Sequence, residues 1–325
     1  MKAIVVNEWC QPEDLKIGEL PSPELGAGQV RIRVRAASVN FADILMVQGQ
    51  YQEKPPFPFA PGGEASGDVI EVGDGVTHLK VGDRVAALCG SGGYAEEVVA
   101  PAMSVAPIPD SMDYVTAAAF TITYGTSHVG LAHRGKLQAG ETLLVHGAAG
   151  GVGLTAVELG KLMGATVIAT AGSEEKLALT RQYGADYTIN YREQDFRTIV
   201  KEITGGKGAD VIYDPVGGKV FDESLRCIAW EGRLIVVGFA SGRIPKAPAN
   251  YLLVKNCSVV GLYWGAYARK DPKVLLGSMR QLYQWYGEGK LKPHVSAKLP
   301  LENAVEAMQL LQSRQSTGKV VLEIQ

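Results

Sequence analysis

The sequence predicts an α/β protein in which a β-rich domain accompanies a doubly wound domain with a parallel sheet. The first hundred residues are short Val- and Ile-rich runs divided by Gly, Pro and Asp, which is typical of strands joined by turns. From about residue 141, apolar runs alternate with amphipathic segments, as in a parallel sheet covered on both faces. A chain of 325 residues also exceeds one ordinary core, so two domains are expected.

The first predicted strands are short, apolar and separated by turn signals. We expect strands at KAIVV, QVRIRVRAASV, SGDVIEVG, DRVAAL and YAEEVVA. The run RIRVRA alternates between polar and apolar residues, which predicts a strand with one face in water. Near residue 112 the pattern changes, and MDYVTAAAFTITYGTSHVGLAHRGKL is predicted to be helical.

Strands and helices alternate through the second half of the chain. The predicted strands are TLLVHG, TVIATA, YTINY, DVIYDPVG, GRLIVVG and CSVVGLY. The predicted helices between them include VGLTAVELGKLMG, SEEKLALTRQYG, DFRTIVKEITG and VFDESLRCIAW. Two further helices, LLGSMRQLYQWYGEGKL and LENAVEAMQLLQSRQ, and a last strand, GKVVLEIQ, are expected at the C-terminal end.

Composition and charge exclude several classes of protein. The composition, 46% hydrophobic and 20% charged, is that of a globular protein, and a formal net charge of -2 gives no electrostatic basis for binding nucleic acid or an anionic membrane. The four cysteines form no CxxC pair, which argues against disulfides and a cysteine-rich zinc site. The N-terminus has no long apolar segment, and no run of about 18 apolar residues occurs. We therefore expect a cytoplasmic protein.

A glycine-rich loop between a predicted strand and a predicted helix indicates a dinucleotide site. The pattern is Ala148-x-Gly150-x-x-Gly153, with a second strand at the appropriate distance. Small residues let the backbone approach a pyrophosphate, and the N–H groups of the helix N-terminus meet its charge. We expect the loop to bind the cofactor; the alternative is a structural turn. The predicted contacts are Ala149, Gly150, Gly151, Val152 and Gly153.

The end of the second strand of this unit predicts the choice of cofactor. An Asp or Glu there would bind the ribose 2′-hydroxyl of NAD, but this chain has Gly172 and Ser173, with Lys176 one helical turn further on. A hydroxyl and an ammonium suit a 2′-phosphate, so NADPH is predicted over NADH. Glu174 and Glu175 are expected to point away, and the alternative for Lys176 is an ordinary surface lysine.

The chain resembles the medium-chain dehydrogenase/reductases, and most closely their zinc-free quinone oxidoreductase (zeta-crystallin-like) branch. The resemblance covers essentially the whole chain. It implies a GroES-like catalytic domain from residues 1–120 and 266–325, and a Rossmann NADPH-binding domain from residues 121–265. The motifs that carry it, in the family's order, are VNFADILMVQGQY, PFAPGGEASGDVIEVG, VGDRV, AAAFTITYGTSHVGL, HGAAGGVGLTAVELGKLMGATVIAT, GADYTINY, YDPVGG, VVGFASG and TGKVVLEI.

The same resemblance argues against a zinc site. Zinc alcohol dehydrogenases of the superfamily have Gly-His-Glu in the loop where this chain has Gly63 before Glu64, and a cysteine near the position of Asn40. Cys89 stands alone where a four-cysteine lobe would begin. Because zinc needs three or four converging ligands, no metal is expected. Glu64 is predicted to be structural, paired with backbone or an Arg, with a direct catalytic role as the alternative.

Quinones and conjugated carbonyls accept hydride without a metal if a donor meets the oxygen that gains charge. The resemblance implies that Asn40 offers an amide N–H there, and that Tyr51 matches the proton-donating tyrosine of related enoyl thioester reductases. Two alternatives stay open: Asn40 caps the helix FADILMVQG, and Tyr51 only lines the pocket.

Further residues are assigned by the resemblance. His146 is expected to be packed rather than to act as a base, His128 and His133 to be structural, and Thr123 and Asp214 receive no role. Leu45, Met46 and Trp264 are expected to make the acceptor site apolar. Cofactor contacts are expected from Asn40, Thr121, Tyr124, Thr126, Tyr191, Gly238, Phe239, Ala240, Ser241 and Lys319.

The leading hypothesis is a zinc-independent NADPH-dependent reductase of quinones or related α,β-unsaturated carbonyls. One alternative is an enoyl-CoA or enoyl-ACP reductase, for which Arg192, Lys246, Arg269 and Lys270 are candidate contacts to the thioester carrier. Another is a non-enzymatic, crystallin-like NADPH-binding protein. The resemblance also implies a homodimer joined through the edge strand in residues 256–265.

Overall fold

The computed structural model describes residues 1–324, which form two compact units. The first unit contains Met1–Ile122 and the chain from Pro293 onward, and the second contains Thr123–Lys292. None of the helices within the described residues is long and apolar enough to cross a membrane.

Fifteen strands occur in the described chain. They are β1 (Lys2–Val5), β2 (Lys16–Glu19), β3 (Gln29–Val39), β4 (Glu64–Val72), β5 (Arg84–Leu88), β6 (Glu97–Pro101), β7 (Val105–Pro107), β8 (Thr142–Val145), β9 (Thr166–Ala171), β10 (Tyr187–Asn190), β11 (Ala209–Asp214), β12 (Ile228–Val236), β13 (Ser258–Gly261), β14 (Val295–Pro300) and β15 (Lys319–Glu323).

Eleven α-helices accompany these strands in the described residues. They are α1 (Phe41–Val47), α2 (Tyr114–Ala118), α3 (Thr121–His128), α4 (Gly151–Leu162), α5 (Glu174–Gln182), α6 (Phe196–Ile203), α7 (Gly218–Cys227), α8 (Ala249–Lys255), α9 (Tyr267–Lys270), α10 (Pro272–Gly287) and α11 (Ala304–Gln312). A π-helical segment, Val129–Arg134, continues α3.

The first unit is built on a seven-stranded sheet in the order β14-β15-β3-β4-β5-β7, with β6 also pairing with β3. The β14–β15 pair is parallel and the other pairs are antiparallel. The alternation predicted for β3 is confirmed, because Val30, Ile32 and Val34 are buried while Arg33 between them is exposed. This mixture of a β-rich unit with an α/β unit is the predicted fold class.

The second unit has a six-stranded parallel sheet in the order β10-β9-β8-β11-β12-β13. Numbered within the sheet, this is 3-2-1-4-5-6, the doubly wound Rossmann arrangement. The order reverses between β8 and β11, so the carboxyl ends of these two strands flank the crevice in which such folds bind ligands.

One predicted helix ends earlier than its sequence suggests. The run VFDESLRCIAW was predicted as helix to Trp230, but α7 ends at Cys227 and Ile228 begins β12. The Lys255 ammonium donates to the carbonyls of Arg226 and Ile228, at 3.2 and 3.0 Å, and so satisfies acceptors at this helix end.

Residues 266–292, which the sequence analysis grouped with the chain ends, lie in the second unit. Their helices α9 and α10 contact α3 and its π-helical continuation. His128 Nδ1 lies 2.8 Å from Ser278 Oγ, and its ring contacts Trp285 at 5.4 Å between centroids. His133 contacts Tyr267 at 5.7 Å. Both histidines are therefore packing residues, as expected.

Candidate functional site

The glycine-rich loop of the second unit follows β8 at the reversal point of the sheet. Gly147 has a φ of +56°, which favours glycine, and α4 begins at Gly151. A Cβ added at Gly153 would lie 2.1 Å from the carbonyl oxygen of Gly147, so only glycine lets the helix approach the loop this closely. This is the close packing that a pyrophosphate-binding turn requires.

The first turn of α4 supplies donors to the same loop. Leu154 N donates to Gly150 O at 2.8 Å and is the first such bond of the helix. The N–H groups of Gly151, Val152 and Gly153 come before it, where an α-helix has no internal acceptors. With the positive end of the helix dipole, they form a site suited to an anion.

A second anion-binding arrangement lies at the end of β9. Ser173 caps α5 by accepting the N–H of Lys176 at 3.4 Å, and its own hydroxyl hydrogen remains to donate. A Cβ at Gly172 would lie 2.7 Å from the Tyr191 hydroxyl and 3.1 Å from Arg192 Nε. A hydroxyl, a phenol and a guanidinium therefore converge beside Gly172.

Sequence reasoning did not place Arg192 in this group, and counted it instead among candidate contacts for an acyl carrier. The signal was present, because Arg192 directly follows Tyr191 at the end of β10, and β10 pairs with β9. Glu174 is bound by Arg181 further along α5, which fits the expectation that it points away.

The loop after β12 pairs with the loop after β11 by backbone bonds. The N–H groups of Gly238, Ala240 and Ser241 donate to the carbonyls of Asp214, Pro215 and Val216, at 3.4, 3.1 and 2.9 Å. Those three donors are engaged within the protein. The Asp214 carboxylate accepts from Val216 N and Gly217 N, and its buried position raises its pKa.

Tyr124 takes a partner that the resemblance did not suggest. It is buried, and its hydroxyl donates to Glu158 of α4 at 2.6 Å; Glu158 also accepts from Lys292 N at 2.8 Å. Burial, and then the nearby Glu158 charge, raise the pKa of Tyr124 well above its usual value. The hydroxyl thus joins α3 to α4, and the contact of Tyr124 with the cofactor stays a prediction. Thr126 is buried on the same helix.

The first unit contains a buried polar network centred on Glu64. Its carboxylate accepts from the Ser38 hydroxyl, from Asn40 Nδ2 at 3.1 Å and from Lys319 Nζ at 3.2 Å. The second carboxylate oxygen accepts from Ile122 N at 2.8 Å. Glu64 is 1% exposed and the Lys319 side chain 6%, so this is a buried ion pair. Of the two expected partners, backbone or an Arg, the backbone is present as Ile122 N, and the cation is Lys319 rather than an Arg.

Lys319 directs all three of its donors into this network. Besides Glu64, its ammonium binds Val39 O at 3.1 Å and Asn40 Oδ1 at 2.6 Å. An ammonium has three hydrogens, so these partners occupy it fully. In this structure the Lys319 ammonium contacts Asn40, and its contact with the cofactor stays a prediction.

Asn40 is the N-cap residue of α1 and forms a capping box with Asp43, and its side chain also binds groups outside the helix. The helix end is closed by Asp43, whose carboxylate accepts Asn40 N at 2.8 Å, Gly63 N at 3.0 Å and the Tyr94 hydroxyl at 2.9 Å. Burial raises the pKa of Asp43 to about 6. The alternative in which the Asn40 side chain serves only as a cap is not supported, because its amide binds Glu64 and Lys319.

Tyr51 and Thr121 also belong to the first unit. Tyr51 is partly buried against the hydrophobic core, and its N–H donates to Leu45 O at 3.1 Å. The Thr121 hydroxyl, at the start of α3, is buried and has no hydrogen-bond partner within the described chain. An unpaired buried hydroxyl costs free energy unless a ligand pairs with it.

His146 is a buried side chain and Cys89 a partly buried one, each within its unit. The His146 ring lies 3.0 Å from Thr170 Oγ1 and 2.9 Å from Ser224 Oγ, and burial lowers its pKa to about 3. Burial raises the pKa of the Cys89 thiol to about 12. Across residues 1–324, the structure shows no group of three or more His, Cys, Asp or Glu side chains that could hold a metal ion.

Comparisons with known proteins agree with both units. An alcohol dehydrogenase GroES-like domain matches residues 26–110, and a zinc-binding dehydrogenase domain matches residues 151–279. The quinone oxidoreductase-like protein 2 homolog of Nematostella vectensis is 48% identical over 324 residues, covering 99% of this chain and 88% of that protein.

Two solved structures of similar proteins are NADPH complexes. A mycobacterial protein complexed with NADPH has 34% identity and a TM-score of 0.94, with 99% of this chain and 100% of that chain covered. The quinone oxidoreductase of Escherichia coli complexed with NADPH has 31% identity and a TM-score of 0.92, also over 99% and 100%.

Proposed function

We propose that this chain, which belongs to the quinone oxidoreductase family of the medium-chain dehydrogenase/reductases, is a cytoplasmic, zinc-independent enzyme that reduces quinones or related α,β-unsaturated carbonyls with NADPH. That the chain is an oxidoreductase follows from its family. One observation carries the choice of cofactor. The end of β9 offers Ser173, Lys176, Tyr191 and Arg192, but no carboxylate in the position that would bind the ribose of NAD.

The residues fit NADPH at both of its charged groups. The first turn of α4 and the close approach at Gly153 suit the pyrophosphate. The group around Gly172 suits the 2′-phosphate, since a guanidinium and hydroxyls are its natural partners. We further propose cofactor contacts from Ala149 and from Phe239 in the loop after β12. When bound, NADPH supplies the hydride.

The chain's own contribution to the reaction is to stabilise charge and supply a proton. Asn40 is proposed to donate an N–H to the acceptor oxygen, where negative charge develops as hydride is added at carbon. Tyr51 is proposed as the general acid. The positions that hold zinc ligands in related dehydrogenases carry Gly63 and Asn40, a donor set that does not suit zinc.

Oxidation of NADPH with paired acceptors tests the proposal. We expect turnover of 1,4-benzoquinone or 9,10-phenanthrenequinone, followed at 340 nm, to be faster than turnover of crotonyl-CoA and unaffected by a chelator. NADH should be a poorer donor. Faster turnover of crotonyl-CoA would move the assignment to enoyl thioester reduction. Binding of NADPH without turnover of either acceptor would favour a crystallin-like protein.

We propose a homodimer that is joined along β13, which is an edge strand. On the adjacent α8, no residue is buried, and Leu253 and Val254 are 77% and 64% exposed. Such a surface suits a second copy of the chain. Sedimentation velocity at micromolar concentration should give a dimer, and Leu253→Lys should weaken it while Trp230→Ser, at an exposed residue of β12, should not. A monomeric parent protein would contradict the proposal.

A further inference from the structure

The side-chain amide of Asn40 is bound from both ends. Lys319 Nζ, which can only donate, lies 2.6 Å from Oδ1, and the Glu64 carboxylate accepts from Nδ2 at 3.1 Å. Turning the amide over would place its NH₂ against the ammonium and its oxygen against the carboxylate. The two charges therefore allow one orientation of the amide.

This arrangement leaves one amide hydrogen only weakly bound. Besides Glu64, Nδ2 donates to Ser38 Oγ at 3.4 Å, a bond longer than the usual range of about 2.7–3.2 Å, which a ligand oxygen at normal distance would replace. The Ser38 hydroxyl itself is directed at Glu64. Because Lys319 withdraws electron density at Oδ1, it polarises the amide and strengthens the donor that remains.

The same carboxylate also fixes the start of α3. Its other oxygen accepts Ile122 N at 2.8 Å, at the second position of the helix, where a negative charge also complements the helix dipole. The neighbouring residue, Thr121, has the buried hydroxyl without a partner in the described chain. The Glu64 carboxylate thus binds both the Asn40 amide and the backbone beside the unpaired Thr121 hydroxyl.

We propose that Glu64 and Lys319 are positioning residues that clamp Asn40, so that its weakly bound N–H is held for the acceptor oxygen. This inference rests on the proposed function, in which charge develops on that oxygen. A buried ion pair that served stability alone would not require an amide bound to both of its charges, nor a backbone donor from α3.

Glu64→Gln is the first variant, because it keeps the shape of the side chain. Both oxygens of Glu64 accept from donors, so the new NH₂ group must face one of them. We expect kcat for quinone reduction to fall at least tenfold, with the Kd for NADPH, from nucleotide fluorescence, within twofold of the parent value. Glu141→Gln, in the Arg233 ion pair before β8, is the control and should keep kcat within twofold.

The double variant Glu64→Gln/Lys319→Met separates positioning from stability. It removes both charges, so the Tm lost in Glu64→Gln should largely return. We expect kcat to stay at least tenfold low, because the amide has lost the charges that orient it. Recovery of kcat to within twofold of the parent would overturn the inference. If Glu64→Gln fails to fold, the kcat of this charge-balanced double variant is the test.

A measurement independent of turnover is the NMR signal of the ¹⁵N-labelled side-chain amide of Asn40. Its two proton resonances should be distinct and slow to exchange with water in the parent protein, and should broaden or exchange faster in the double variant. An unchanged Asn40 signal would overturn the inference. If the parent protein turned over no acceptor, the proposed function would fail, and this measurement would still decide whether Glu64 and Lys319 hold the amide.

Discussion

Lys319→Met is expected to lower the free energy of unfolding by about 3–5 kcal/mol, the usual cost of removing one partner of a buried ion pair. The substitution leaves Glu64, which is 1% exposed, without its cation. Methionine nearly fills the space of the lysine side chain, so the loss comes from charge and hydrogen bonds rather than from a cavity. Asn40 Oδ1 and Val39 O also lose their donor.

Urea unfolding of Lys319→Met and Lys2→Met measures this effect. Lys2 is also paired with a glutamate, Glu302, but the two side chains are 52% and 48% exposed. An exposed ion pair contributes little because water screens it, so Lys2→Met should be nearly neutral. Equal losses in the two variants would show that the pair at Glu64 does not behave as a buried one.

Arg192→Ala is expected to raise the Kd for NADPH about 10- to 100-fold and to leave the Kd for NADH within about twofold. A hydrogen bond to a charged group contributes about 1.5–3 kcal/mol, and 1.4 kcal/mol corresponds to a factor of ten. The 2′-phosphate is the only group by which the two cofactors differ. Arg192 Nε lies beside Gly172, which is the proposed position of that phosphate.

Titration of nucleotide fluorescence gives both dissociation constants. Arg197→Ala is the matched control, because Arg197 pairs with Asp195, the N-cap residue of its own helix α6, and with Glu223 of α7 in the same unit. It should change neither constant by more than about twofold. If Arg192→Ala weakened NADPH and NADH equally, Arg192 would support the fold of the loop rather than select the 2′-phosphate.

Local sequence patterns were sufficient to predict most of the strands and helices of the fold. The alternation in β3, the apolar runs of β8 and β9 and the loop from Gly147 to Gly153 are properties of neighbouring residues, and each element formed where it was predicted. Short elements with weak patterns, such as β2, β7 and α8, were not predicted. The end of α7 was missed because a distant lysine, Lys255, binds carbonyls there.

The sequence by itself determined the fold class, the dinucleotide loop and the absence of a carboxylate at the end of β9, since these depend on residue type and on short spacings. Only the tertiary structure decided which residues meet. Lys319 reaches Glu64 across 255 positions of the chain, and Arg192 reaches Gly172 through the pairing of β9 with β10. A buried charge is compensated by whichever partner the fold brings within a few ångströms. The number of residues between two partners does not reveal that distance, so the sequence alone could not identify them.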